Sequence, residues 1–170
     1  ELGALEAGPR ASYVQAIGPR IGNQTGLANP GQALHFTLLN SAVENAFSVP
    51  GGYVYVTRQL MAIMDDEAQL AFAIGHETAH IAANHAHIRQ QYARRNRMGV
   101  LGQVLGAVLG NTGFGGMISQ SAERAAAMRN LSFSRDQEYQ ADTLALRYVI
   151  GAGYDPAGGP GILAALLQAM

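Results

Sequence analysis

The 170-residue chain has the length of one compact domain, and its 48% hydrophobic and 14% charged residues supply a core and exclude intrinsic disorder. The formal net charge of −1 predicts no strong attraction to nucleic acid or acidic lipid. Because the chain has no cysteine, disulfides, thiolate metal sites and a cysteine nucleophile are also excluded.

The N-terminal part of the chain is predicted to form one helix and a small, mostly antiparallel sheet. The helix lies within residues 9–25, and an Asn-Pro-Gly turn follows at 29–31. Strands are predicted at 33–39, 47–49 and 53–57. The last of these has the clearest strand signal, because it consists of aromatic and β-branched residues.

The remainder of the chain is predicted to be mostly helical, which makes the fold class α+β. Two aspartates at 65–66 precede a long helical pattern over 67–95, with arginines near its end, as the helix dipole favours. A second helical stretch runs over 119–150, with a break near 130–134, and Gly151 is its predicted C-cap.

The domain organisation is predicted to be a single domain over residues 1–170 that is a piece of a longer protein. The chain begins at Glu1 and stops at Met170 within the apolar run 162–170. No stretch reaches the roughly 20 consecutive apolar residues that a membrane-spanning helix needs.

The residues His76–His80 read His-Glu-Thr-Ala-His and match the H-E-x-x-H pattern within the predicted helix. Residues four apart share a helical face, so His76 and His80 can reach one cation. Glu77 lies one step round the helix, where it can take a proton from water at an open coordination position. The alternative is a surface helix whose histidines have other partners.

A catalytic zinc needs a third protein ligand besides the two histidines. The metzincin pattern fails, because Ala83 and Ala86 stand where it requires glycine and a third histidine. A glutamate from the second helical stretch remains, and Glu138 is the candidate.

Two further residues share the helical face of Glu138. Asp142, four residues later, can accept the far ring N–H of a zinc histidine, which we expect to be His76. Arg135, three residues earlier, is expected to brace a carboxylate. The alternative for these side chains is an exposed charged stripe, which we would favour if the H-E-x-x-H motif were absent.

Two other histidines follow the motif and are not expected to be ligands. His87 shares the face of His80 but lies about 10 Å along the helix axis. His85 points well away from that face. Both are predicted to pack in the interior or line a cleft.

Two motifs together resemble peptidase family M48, which includes the HtpX heat-shock protease, the CAAX prenyl protease and the BepA-like proteins. They are Gly-His-Glu-x-x-His at Gly75–His80 and Ser-Arg-x-x-Glu-x-x-Ala-Asp at Ser134–Asp142. Asn45–Phe47, followed by Pro50–Gly52, resembles a third motif of the family. Without membrane spans, the chain is more similar to the soluble BepA-like branch and its mitochondrial relatives.

The resemblance implies a zinc metalloendopeptidase with a mostly helical, gluzincin-type zincin domain and an active-site helix carrying H-E-x-x-H. It implies one Zn²⁺ per chain, held by His76, His80 and Glu138, with Glu77 as the catalytic residue. The implied substrates are polypeptides, in particular misfolded or misassembled envelope proteins. The implied location is the bacterial periplasm or the extracytoplasmic side of a membrane, without a transmembrane segment.

The resemblance also implies a strand that pairs with an extended substrate through main-chain hydrogen bonds, as edge strands of zincins do. We assign this role to Tyr53, Val54, Tyr55, Val56 and Thr57. The alternative is an ordinary core strand.

A different class of function is a non-catalytic, zinc-containing module that binds client proteins as a chaperone does. The presence of Glu77 argues against it, because a purely structural zinc site does not need that carboxylate.

Another alternative is binding to a membrane or nucleic-acid surface through Arg94, Arg95, Arg97 and the glycine-rich apolar segment 98–118. The arginines are adequately explained as the end of a helix. The apolar segment can instead form a flap over the cleft.

Overall fold

The computed structural model describes residues 4–92, 94–95 and 133–169, which combine helices with a single sheet. The elements are β1 (Ala4–Leu5), α1 (Pro9–Gly22), α2 (Pro30–Ala33), β2 (His35–Asn40), β3 (Ala46–Val49), β4 (Tyr53–Thr57), α3 (Arg58–Ala62), α4 (Glu67–Ala82), α5 (residues 85–92), α6 (Arg135–Gly151) and α7 (Gly158–Ala169). The segment 98–118, Arg97 and the predicted helical residues 119–132 lie outside the described part.

The sheet has four strands in the order β1-β2-β4-β3. The β1–β2 and β3–β4 pairs are antiparallel, in agreement with a mostly antiparallel sheet, although strand β1 was not predicted. The central β2–β4 pair is parallel, with His35 opposite Tyr53 and Leu39 opposite Thr57. Since β4 is paired on both sides, the assignment of Tyr53–Thr57 as the substrate edge is wrong. Its aromatic and β-branched residues suit a central strand. In the described part of the chain, β3 is the outer strand beside it.

Helix α4 lies at the centre of the domain and packs against α1, β3, β4, α6 and α7. The continuous run Gln69–Gly75 is buried, because neighbours cover this helix on nearly every side. The Asp66 carboxylate accepts a hydrogen bond from the Gln69 backbone N–H at 2.9 Å and caps the first turn. Among the described residues, no helix is both long and apolar enough to cross a membrane.

The predicted helix over 67–95 is interrupted. Helix α4 ends at Ala82, and Asn84 adopts a left-handed conformation with φ of 58° before α5 begins at residue 85. Asparagine tolerates this conformation better than most residues. Neither glycine nor proline marks the break, so the hydrophobic pattern indicated one continuous helix.

Helix α6 begins with a capping box, in which the Ser134 hydroxyl accepts from the Gln137 backbone N–H and the Gln137 side chain accepts from the Ser134 N–H. The prediction of Gly151 as the C-cap is wrong, because Gly151 is the last helical residue. The left-handed residue is Gly153, with φ of 86°, and its N–H donates to the Ile150 carbonyl at 3.0 Å.

Gly158→Ala at the start of α7 is expected to destabilise the domain. A Cβ at this position would lie 2.3 Å from the Ala68 carbonyl oxygen of α4, and backbone cannot move aside as a side chain can. Overpacking of this kind costs about 1–3 kcal/mol. Urea denaturation followed by circular dichroism measures the loss. Gly31→Ala is the control, because no atom lies within 4 Å of its added Cβ, and equal midpoints for both variants would contradict the expectation.

Candidate metal centre

The centre is built between α4 and α6, which approach closely along small residues. A Cβ added to Gly75 would lie 3.5 Å from the Ala145 Cα, and Ala79, Ala141 and Ala145 are fully buried. Small side chains let two helix backbones come near each other. Side chains on the neighbouring turns of α4 and α6 therefore lie close to one another beside this contact.

The structure brings the three predicted ligands together. His76 Nε2 lies 3.1 Å from His80 Nε2 and 3.2 Å from Glu138 Oε2, and His80 Nε2 lies 3.8 Å from the same oxygen. Tetrahedral zinc with bonds of about 2.0–2.1 Å separates its ligand atoms by about 3.3 Å. The two nitrogens and one oxygen therefore fit around a single ion.

A carboxylate lies behind the first histidine. His76 Nδ1 is 2.8 Å from Asp142 Oδ1. Because a carboxylate only accepts, Nδ1 carries the proton and the Nε2 lone pair faces the centre. Arg135 is exposed and makes no ion pair with any carboxylate in the described ranges, so the structure does not show it bracing Glu138 or Asp142.

The second histidine is deeply buried. His80 is 3% exposed, and the Phe133 ring stacks on it with centroids 3.9 Å apart. Burial, with smaller contributions from His76, His85 and Arg89, lowers the pKa of His80 to about 3. The imidazole is therefore neutral at ordinary pH, as a metal ligand must be.

His85 does not point away from the centre, contrary to the expectation from a continuous helix. The left-handed conformation of Asn84 turns the chain so that His85 faces His80. His85 Nδ1 lies 2.9 Å from His80 Nδ1, and His85 Nε2 lies 3.0 Å from Gln140 Oε1. His85 is 1% exposed. His87 is exposed and its Nε2 lies 2.8 Å from Gln91 Nε2, away from the three ligands.

Glu77 lies beside the ligands and has a partner that sequence reasoning missed. The Ser48 hydroxyl of β3 donates to Glu77 Oε2 at 3.0 Å. Burial raises the pKa of Glu77 to about 7, and the Glu138 carboxylate also raises it, whereas His76 and Ser48 act in the opposite direction. Ser48 lies between the two parts of the third family motif, Asn45–Phe47 and Pro50–Gly52. That position is the sequence feature that could have identified Ser48 as a site residue.

Two cavities flank the centre. The larger one, about 330 Å³, reaches from Glu77 and Glu138 to apolar side chains. These apolar side chains are Leu60, Phe72, Ile162, Leu163 and Leu166. The smaller one, about 190 Å³, lies on the other side and is lined by Ser48, His80 and Phe133 among others. The two cavities together make up a cleft that borders the predicted ligands, the larger at His76 and Glu138 and the smaller at His80.

Strand β3 borders both cavities, and within residues 4–92, 94–95 and 133–169 it pairs on one side only, with β4. The Thr57 N–H donates to the Asn45 carbonyl at 3.0 Å, and hydrogen-bonded and non-hydrogen-bonded pairs alternate in an antiparallel ladder. Phe47 and Val49 therefore bond to β4, whereas the main-chain groups of Ala46 and Ser48 face outward.

Comparisons with known proteins indicate one family. The sequence profile of peptidase family M48 matches residues 9–168. The chain is 29% identical over 157 residues to the Beta-barrel assembly-enhancing protease of Yersinia pestis, covering 89% of this chain and 31% of that protein. The protein of the same name from Escherichia coli (strain K12) is 29% identical over 162 residues, covering 92% and 32%.

A mitochondrial protein also matches. The Mitochondrial metalloendopeptidase OMA1 of Arabidopsis thaliana is 29% identical over 123 residues, covering 72% of this chain and 24% of that protein. The chain thus spans about a third or less of the length of these relatives.

Proposed function

Because the chain belongs to peptidase family M48, we propose that it is a zinc-dependent metalloendopeptidase of the gluzincin type. The observation that carries the proposal is the convergence of ligand atoms from His76, His80 and Glu138 within 4.8 Å of one another, beside Glu77. Metal analysis of the purified protein measures the identity and the stoichiometry of the bound ion, and we expect one Zn²⁺ per chain.

In this proposal His76 and His80 hold the ion through Nε2 and Glu138 through Oε2. When bound, zinc supplies Lewis acidity, which polarises a carbonyl and makes water more acidic. Asp142 keeps the proton of His76 on Nδ1, so that the nitrogen facing the centre stays free.

Glu77 is the proposed general base and acid. Its carboxylate takes a proton from the attacking water and then delivers it to the leaving amine. The burial that raises its pKa suits this double role, because the carboxyl group must hold the proton between the two transfers. The Ser48 hydroxyl positions the carboxylate through Oε2.

We propose β3, not β4, as the strand that receives the substrate. An extended polypeptide would add beside Ala46 and Ser48, whose main-chain groups face the open edge. Since main-chain hydrogen bonds do not depend on side chains, such binding accepts many sequences. Specificity then comes from the cavities that flank the edge.

Leu163→Asp is expected to weaken cleavage of peptides that place a large apolar side chain in the larger cavity. Leu163 lines this cavity and is 58% exposed, so the change adds a charge there without emptying the core. Burying a leucine or phenylalanine is worth about 1.5–3 kcal/mol, so kcat/KM should fall roughly 10-fold or more. Paired peptides with leucine or alanine near the scissile bond measure the difference.

The matched control is Leu167→Asp on the same helix, because Leu167 is 74% exposed and does not line the cavity. It should cleave both peptides as the wild type does. Equal losses for the leucine and alanine peptides in Leu163→Asp would contradict the assignment of this cavity to a substrate side chain.

For the biological setting, we propose a single peptidase domain within a longer bacterial protein, acting in the periplasm or on the extracytoplasmic side of a membrane. The family resemblance and the names of the relatives support substrates among misassembled envelope proteins. The non-catalytic alternative shares the same centre and cleft. A cleavage assay with a Glu77 variant separates the two functions.

A further inference from the structure

We propose that His85 and Gln140 form a hydrogen-bond chain that fixes the tautomer of His80 and so raises the affinity of the centre for zinc. His85 is a positioning residue in this proposal, because it acts through His80 and does not reach the ion. The inference rests on the proposed function, since it requires His80 to be a ligand.

The chain consists of two short contacts behind the centre. His80 Nδ1 lies 2.9 Å from His85 Nδ1, and His85 Nε2 lies 3.0 Å from Gln140 Oε1. His85 is 1% exposed and His80 is 3% exposed. The two rings are nearly perpendicular, with centroids 5.0 Å apart.

The Gln140 side chain determines which nitrogen of each histidine in this hydrogen-bond chain carries the proton. The Gln140 carbonyl oxygen only accepts, so His85 Nε2 must carry the proton. With its proton on Nε2, His85 presents the lone pair of Nδ1 to His80 Nδ1, which donates to it. His80 Nε2 is left without a proton, facing His76 and Glu138.

Losing the acceptor at His85 would favour the wrong tautomer of His80. A buried N–H without an acceptor is costly, so His80 would move its proton from Nδ1 to Nε2. An Nε2–H cannot bind a metal ion. Asp142 performs the corresponding task for His76 from the partly exposed face of the centre, so each ligand histidine has its own partner.

The first test is zinc affinity, measured by competition with a chromophoric chelator. His85→Phe keeps the bulk of the ring but has no acceptor, and we expect affinity to fall roughly 10- to 100-fold. His85→Asn places Oδ1 near the position of Nδ1 and should restore most of the loss. His87→Ala is the matched control, because it removes an exposed imidazole two residues away and should bind zinc as the wild type does.

The second test reads the tautomers directly in the wild-type protein. Nitrogen-15 NMR of the zinc-loaded protein should show the proton on Nδ1 of His80 and on Nε2 of His85. Gln140→Glu retains an acceptor and should keep this pattern. Gln140→Leu removes the acceptor and should weaken zinc binding.

The NMR measurement decides the inference even if His85→Phe fails to fold. A proton on Nδ1 of His85 in the wild type would overturn it. So would a folded His85→Phe protein, with an unchanged melting temperature, that binds zinc as tightly as the wild type. A wild-type protein without zinc affinity would contradict the proposed function instead.

Discussion

Glu77→Gln is expected to reduce peptide hydrolysis by roughly 10³-fold or more while zinc remains bound. The amide has nearly the same shape as the carboxylate but cannot take a proton from water. It can still accept the hydrogen bond that the Ser48 hydroxyl donates at 3.0 Å, so the local structure should persist. Initial rates on an unfolded protein substrate, with metal analysis of the same samples, measure both effects.

A matched control for this change is Glu67→Gln, which alters a carboxylate at the start of the same helix. Glu67 accepts from the Tyr13 hydroxyl at 2.7 Å and lies outside the cleft, so cleavage should be unchanged. If Glu77→Gln cleaved the substrate as fast as the wild type, the peptidase proposal would fail and client binding would become the better explanation.

His80→Ala is expected to remove zinc and, with it, activity. The change deletes one of three nitrogen and oxygen donors and leaves a cavity where a side chain only 3% exposed had been. A ligand that binds only the folded state stabilises it by about 4 kcal/mol at a free concentration of 1,000 times Kd. Added zinc should therefore raise the melting temperature of the wild type but not that of the variant.

The control for the ligand variant is His35→Ala, because His35 is exposed, stacks on Tyr53 and lies on β2, which β4 separates from β3. His35 lines neither cavity. The His35→Ala variant should retain one zinc per chain. Full zinc occupancy in His80→Ala, measured by inductively coupled plasma mass spectrometry, would show that the ion is held by other residues.

Much of the candidate site could be predicted because helical geometry relates residues within one helix. The four-residue spacing placed His76 and His80 on one face, and the same spacing placed Glu138 and Asp142 on another. Residue spacing within a helix could not predict that α4 and α6 pack against each other. Their packing was inferred from the need of zinc for a third ligand, and the small residues between the helices make that approach possible.

The substrate edge could not be predicted from strand signals. A strong β pattern identifies residues that suit a strand packed between two other strands. Tyr53–Thr57 is such a strand, because β3 pairs with it on one side and β2 pairs with it in parallel on the other. The order of strands depends on which strands pair, and β2 pairs with β4 past the intervening β3, which no local pattern reports. The edge belongs to the less conspicuous β3, where Ser48 also reaches Glu77.

The left-handed residue Asn84 limits how this centre could be transplanted into another protein. On a straight helix, His85 would lie about 7.5 Å further along the axis than His80 and about 140° round from it. A designed scaffold that copied only the five residues from His76 to His80 would thus present both imidazoles without the partner behind the second. A faithful graft would extend through the turn to His85 and supply an amide oxygen from the neighbouring helix.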